Sequence, residues 1–441
     1  MTHLPARIAR FLTRGVGLIA VAVAAQSAGN LIFHAVVGRL LEPGSYGALG
    51  AVLAAMVMLG VPLGALQTAA SALAAEHGLS GDTARRALRP VALWSLAPAA
   101  VVLLAAPLLR DYFHLGSLLD AAQLAPYLVL AAVLATARGL LLGDHQGRTV
   151  AVTYLVATAV RLVAGVVLVV PFGVSGALLA TVLAEVAALL VAAVPLRRPA
   201  AGAEPGTGLR LGSVAHAGFA VTGLFLFSTV DLLLARHHLP EHGSGSYVAA
   251  ATIAKTVLAL PAALMSVVFP RLLLAWARPG RGRALAVGGA MVSGPAMLGA
   301  AAIVAVPALV LHLLYGDGYA DATGLVRALA GVAALTSLVT VLTYAGLARR
   351  SRTIVIPWAG AAVEVALIEV WHGSATQIAV CSAAALVPTL LLLAVLEGRA
   401  WRRPRPATTQ VDASATDPAG TAAPAGRSAE VVRAHPGAEL A

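Results

Sequence analysis

Twelve stretches of this chain stay apolar for about twenty residues or more, and each can cross the hydrocarbon core of a bilayer as a helix. They run 15–37, 47–75, 90–109, 121–143, 149–171, 174–196, 213–235, 246–274, 285–314, 323–347, 353–371 and 375–396. A backbone in lipid must satisfy its own hydrogen bonds, which leaves helices or closed barrels. Runs of this length are helices, so the chain reads as an all-α integral membrane protein. Composition agrees: 59% of residues are apolar and 11% charged, against about 25% charged in a soluble domain. The first stretch is too long for a signal-peptide core and is counted as a span. Stretches 47–75, 246–274 and 285–314 exceed one bilayer thickness, and Pro62, Pro261 and Pro295 offer kink points.

Arginine sets the expected orientation. Of 30 basic residues, 29 are arginine and one is Lys255. The N-terminus, the alternate loops from 76–89 onward and the segment 399–405 hold 21 arginines, whereas the other loops hold three: Arg39, Arg110 and Arg236. Positive charge stays on the cytoplasmic side, so both termini are expected in the cytoplasm of a multi-pass plasma-membrane protein. The net charge of +11 is spread over these short clusters, with no basic domain for nucleic acid. Cys381 is the lone cysteine, which excludes an internal disulfide and a thiolate metal site.

The chain repeats itself at a shift of 201 residues. Gly44-Ser45-Tyr46-x-Ala48 returns as Gly245-Ser246-Tyr247-x-Ala249, Asp120-Ala121 as Asp321-Ala322, and Arg148 as Arg349. Each half also has a proline within its second span, Pro62 and Pro261. Six spans per half give both halves the same orientation, and parallel repeats of this kind frame a cavity at their interface. The expected organisation is a six-helix lobe over 11–196, a cytoplasmic linker over 197–212, a second six-helix lobe over 213–396 and a disordered cytoplasmic tail over 397–441. The tail is rich in Ala, Pro, Thr and Gly and has too few large apolar residues to offset ordering entropy.

Loops between spans reach only about 17 residues, leaving no room for a nucleotide domain, and no phosphate-binding G-x-x-x-x-G-K-[ST] occurs. No H-E-x-x-H motif is present, and no cofactor is implied. His237, His238 and His242 fall in an outer loop and read as solvated. A glycan polymerase or ligase usually needs a sizeable extramembrane loop, so transport is favoured over catalysis.

Residues 29–71 resemble the first hairpin of polysaccharide and oligosaccharide-lipid flippases, in the superfamily that includes the MATE multidrug exporters. That family carries an Asn in helix 1, then R-x-L-x-P-x-x-Y-G; here Asn30, Arg39, Leu41, Pro43, Tyr46 and Gly47 correspond. Residues 231–272 are similar to the matching hairpin of the second half, with Asp231, Tyr247, Ala250 and the closing Phe269-Pro270-Arg271. Residues 313–330 resemble the family's segment between helices 9 and 10. The resemblance implies a V-shaped, two-lobed transporter of twelve helices that alternates between inward- and outward-open states. It would move a polyprenyl-diphosphate-linked oligosaccharide across a membrane whose lipids surround it, working beside a polysaccharide polymerase or glycosyltransferases. A MATE-type drug or cation antiporter is the alternative, but its best-known sites use an acidic residue in first-lobe helices. Helix 1 here offers Gln26, Asn30 and His34 instead. The lipid II flippases, a further alternative, carry several arginines within helices 1 and 2; here there are none before Arg39.

An ionisable residue within a span is expensive and is a functional candidate by default. Lys255 lies in helix 8, which lines the central cavity in the family; it either attracts the diphosphate or pairs with Asp231 on the neighbouring helix. Gln26 and Asn30 are four residues apart on one face of helix 1, and either contact sugar hydroxyls or bond to helix 2 through Gln67. Arg161 and Glu185 sit near the midplane of spans 5 and 6, as an internal ion pair or as cavity groups. Glu364, in mid-span, could carry a proton or bind a cation, with Asp231 as the second coupling-ion candidate. Arg138 and Arg327 lie near span ends, where they can snorkel.

Overall fold

A computed structural model describes residues 15–197, 209, 212–278 and 280–402. Most of the expected linker, and the expected tail from residue 403 on, lie outside the described residues. Among the described residues, eleven helices are long and apolar enough to cross a membrane. The difference from the twelve stretches in the sequence arises at one place, in the helix that covers spans 5 and 6.

The first half holds α1 (Gly15–Leu40), α2 (Pro43–Gly60), α3 (Leu63–His77), α4 (Gly81–Leu104), α5 (Ala106–Tyr112), α6 (Leu118–Ala122), α7 (Leu124–Gly143) and α8 (Gly147–Leu196). The second half holds α9 (Gly212–Phe227), α10 (Val230–His238), α11 (Glu241–Lys255), α12 (Ala259–Trp276), α13 (Arg281–Ala305), α14 (Pro307–Tyr315), α15 (Thr323–Ala348), α16 (Ile356–Val370) and α17 (Ala375–Arg402).

At 50 residues, α8 would be about 75 Å long if straight. It is interrupted at Gly173, where φ is 55° and ψ is −129°, a conformation essentially reserved for glycine. The chain doubles back there. Val150 and Ala157 before the break share a core cluster with Ala184, Ala188 and Leu196 after it. At the far end, Ser175 donates to Asp120, and Gln123 Nε2 donates to the Ser175 carbonyl at 3.2 Å.

Proline places the other breaks, though not always at the ring itself. Pro62 starts α3 after the α2 break. In the second half the break is a 3₁₀ turn at Thr256–Leu258, just ahead of Pro261. Without an N–H, Pro261 cannot bond the Val257 carbonyl four residues back, which loosens that turn. Pro295, expected to kink its segment, lies within an unbroken α13. That segment breaks instead at Val306 (φ −132°, ψ 50°), the residue before Pro307. A proline drives the preceding residue out of the helical region. Pro107 stands in the first turn of α5, after Ala105 in the helical region (φ −78°, ψ −5°), so a long helix followed by a short one with proline in its first turn recurs in both halves.

The halves share one core at one end of the molecule. Phe33, Tyr46, Leu49 and Val52 from the first half pack in one cluster with Tyr247, Val248 and Ile253 from the second. The first turns of α2 and α11 cross there, and a Cβ on Gly245 would come within 2.1 Å of the Pro43 carbonyl oxygen. The repeated Gly-Ser-Tyr motif therefore sits where the two halves touch, with Tyr46 and Tyr247 both fully buried. Close backbone approach through small residues is how helices associate in lipid. Toward the other end the halves keep separate clusters, one around Leu134, Leu140 and Ala188, another around Met265, Leu272 and Trp401.

Candidate functional site

A cavity of about 650 Å³ lies between the halves, lined by α1, α2, α7 and α8 on one side and α9 to α12 and α15 on the other. Each side contributes one strong base: Arg161 from α8 and Lys255 from the end of α11. None of the described residues lining this cavity is a carboxylate.

Arg161 is held from two sides. Its Nη1 donates to Asn30 Oδ1 at 2.8 Å, and its guanidinium carbon lies 4.2 Å from the centre of the Phe33 ring. Its Nε is buried with no hydrogen-bond partner. A buried donor left unpaired is costly, so Arg161 keeps unused capacity for an acceptor. No ion pair joins it to Glu185 among the described residues.

Lys255 is paired. Its Nζ donates to Asp231 Oδ1 at 2.9 Å, while Tyr247 donates its hydroxyl to Asp231 Oδ2 at 3.0 Å. Asp231 stands behind the large cavity rather than in its wall. It lines a second, much smaller space of about 20 Å³ with Glu364, Ser382 and Lys255. Glu364 is 2% exposed, and its Oε2 has no hydrogen-bond partner. Lys255 thus borders both spaces and connects the carboxylates to the central cavity.

Asn30 lines the cavity, but Gln26 and Gln67 do not. Gln67 lies on α3, beyond the Pro62 break, where its backbone packs against Gly139 of α7. The face of α1 that reaches the cavity carries Ser27, Asn30, Leu31 and His34. Their spacing of three and four residues marks that face; His34 stood out in the sequence without a role in the site, and Ser27 did not stand out because a span tolerates a serine that bonds its own helix, as Ser27 does to the Val23 carbonyl. His34 Nδ1 lies 3.0 Å from the Tyr46 hydroxyl, which in turn is 2.9 Å from the Tyr315 hydroxyl of the other half.

The shared-core end is bound by two of the three exceptional arginines. Arg236, 3% exposed, donates to the carbonyls of Phe113 (2.8 Å), His114 (2.7 Å) and Gly44 (3.2 Å), and to Ser244 Oγ (2.9 Å). Arg39 donates to the carbonyls of Leu314 (3.0 Å), His312 (3.3 Å) and Leu313 at the end of α14, where the helix dipole is negative. His237 and His238 are not solvated loop residues. They end α10 in a stack in which His237 lies 3.9 Å from Tyr112 and His238 lies 4.0 Å from His372.

Comparison with solved structures places this architecture. A multidrug resistance MATE family transporter of the MOP superfamily, in its inward-facing conformation, matches 86% of this chain and 98% of its own at a TM-score of 0.64 and 16% identity. The lipid II flippase MurJ, in an inward closed conformation, matches 86% of this chain and 87% of its own at 0.65 and 11% identity. A MOP superfamily transporter from Pyrococcus furiosus matches 89% and 96% at 0.58 and 16% identity. The chain has the fold of MOP superfamily transporters. No protein-family model matches the sequence, and no curated protein matches it either.

Proposed function

We propose that this protein is an alternating-access transporter that flips a polyprenyl-diphosphate-linked oligosaccharide from the inner to the outer leaflet for cell-surface polysaccharide synthesis. One observation carries this reading: the central cavity offers Arg161 and Lys255 on opposite walls, with an unpaired guanidinium N–H and no lining carboxylate among the described residues. A diphosphate is anionic and too polar to enter hydrocarbon unaided. A cationic drug would find the Arg161 charge, a lysine already paired with Asp231 and no lining carboxylate among the described residues, which disfavours the MATE-type antiporter.

The reading includes twelve crossings, because the fold-back at Gly173 makes two spans of α8. It includes two six-helix lobes and both termini in the cytoplasm of the plasma membrane. Closure through Arg39 and Arg236 then seals the outer side and leaves the cavity to load from the cytoplasmic side. The head group would bind at Arg161 and draw on Lys255, with Asn30 toward the sugar, while the lipid tail stays in the bilayer. Asp231 and Glu364 are the candidates for a coupling proton or cation. Glycosyltransferases that build the glycan and a polymerase that consumes it are the expected partners. A lipid II flippase, the activity named for one of the matching structures, would use the same diphosphate chemistry and differ in the sugar.

Reconstitution in liposomes tests the reading. A polyprenyl-diphosphate carrying a fluorescent sugar should become accessible to an outside quencher faster than in protein-free vesicles. Arg161→Gln should slow this at least about tenfold, the loss of one charge-assisted contact, without loss of folded protein. Efflux of a cationic dye with no movement of the labelled lipid would establish the drug-exporter reading instead.

A further inference from the structure

A third cavity, of about 210 Å³, lies where α12 ends and α13 begins and shares no lining residue with the central cavity. Its lining carries three guanidinium groups, Arg271, Arg278 and Arg281, and no carboxylate among the described residues. Arg281 is fixed in place: it is 8% exposed, its Nε donates to the Trp401 carbonyl at 3.3 Å, and its guanidinium carbon lies 4.4 Å from the Trp276 ring centre. Trp276 and Trp401 pack on each other with ring centres 5.3 Å apart. Arg271 and Arg278 are exposed, and no ion pair to either occurs among the described residues.

The matching junction of the first half carries its arginines at other positions, Arg85, Arg86 and Arg89 in α4. At the shift of 201 residues, Arg271, Arg278 and Arg281 fall opposite Ala70, His77 and Ser80. In the first half Ser80 simply caps α4 by accepting from the Thr83 N–H at 3.1 Å. The exposed guanidinium groups of Arg271 and Arg278 repel one another, and an anion in the cavity would relieve that. The apolar side of the same helix end says what kind of anion. Leu273 and Leu274 are 45% and 61% exposed beside the arginines, an apolar surface next to the charged cavity that suits acyl chains.

We propose that this cavity binds the phosphate of an anionic membrane phospholipid, with the head group among Arg271, Arg278 and Arg281 and the acyl chains along Leu273 and Leu274. Guanidinium groups suit phosphate because they donate in a planar fork, and basic pockets between membrane helices hold such head groups. The site is separate from the central cavity and stands whatever the transported substrate is.

Native mass spectrometry of the full chain in detergent reads the site directly, with phosphatidylglycerol, phosphatidylcholine of the same chains, or sodium phosphate as probes. The wild type should retain phosphatidylglycerol in preference to phosphatidylcholine. Arg271→Gln/Arg278→Gln should weaken that binding about thirtyfold, as expected for two juxtamembrane arginines. Arg85→Gln/Arg86→Gln, which removes two exposed arginines from α4, should leave it unchanged. Equal binding by the Arg271/Arg278 variant and the wild type would overturn the proposal, as would an equal loss in the α4 control. Displacement of the lipid by millimolar sodium phosphate would assign the cavity to a free anion and overturn the lipid. If the double variant does not fold, Arg278→Gln alone carries the comparison, with a loss of about fivefold.

Discussion

At position 255 the ammonium of the single lysine lies 2.9 Å from a carboxylate that is itself 5% exposed. Removing one partner of a buried pair strands the other, at a cost of about 3–5 kcal/mol. Lys255 keeps some contact with solvent, its side chain being 27% exposed, so Lys255→Ala should fall near the lower end, at about 3 kcal/mol. Lys255→Ala/Asp231→Ala should recover most of that stability in thermal unfolding of the purified protein. A double variant as unstable as the single one would show that the ion pair is not what stabilises the site. The sequence already narrowed Lys255 to two readings, the diphosphate or Asp231, and could not choose between them. The choice depends on a 3₁₀ turn that begins at Thr256 and sets where α11 ends. Arg161 and Asn30 are 131 residues apart. Hydropathy places both within spans, but only the packing of α1 on α8 brings them together.

Among the elements, α8 shows most plainly what an apolar pattern can and cannot convey. Two spans were legible on either side of residues 172 and 173 because each is long enough to cross alone. That they meet in a turn only one residue wide was not legible, since hydropathy carries no φ angle. Gly173 has open space around it, with nothing within 4 Å of where a Cβ would lie. The effect of Gly173→Ala is therefore backbone strain alone, about 1–3 kcal/mol, and should appear as a lower unfolding temperature with transport retained. No change in stability would mean that the turn relaxes into an ordinary conformation. The breaks at Ala105 and Val306 make the complementary point. Proline was a correct signal for a break, but its position matters more than its presence. Pro90, Pro98 and Pro295 sit inside continuous helices, whereas Pro107 and Pro307 stand in the first turn of new ones, and at Val306 the residue before the ring leaves the helical region.

Across the whole molecule, the arginine split is the sequence's signal for orientation, and its three exceptions run against it. In a Cys381→Ser background, a cysteine replacing His242 should react with an impermeant thiol reagent added outside, and one replacing Asp82 should not. Both positions are exposed, at 59% for each side chain, so the opposite pattern would reverse the orientation. Two of the exceptions, Arg39 and Arg236, tie the halves together across 275 and 123 residues of sequence. No spacing rule reaches that far. Arg236→Gln should weaken closure at that end, and a cysteine placed at Thr252 in the central cavity should then label faster from outside. Unchanged labelling would mean that the Tyr46–Tyr315 contact and the α2–α11 crossing suffice for closure. Both arginines grip mainly main-chain oxygen atoms, with Ser244 as the one side-chain acceptor, and that has a genetic consequence. Every amino acid presents a carbonyl, so substitutions at residues 113, 114, 313 and 314 leave the acceptors in place. Alleles that unfasten this end should therefore concentrate at codons 39 and 236, and second-site suppressors should not arise by charge swaps at the acceptor positions. The segments on the receiving side are left free to drift in sequence while the fastening persists.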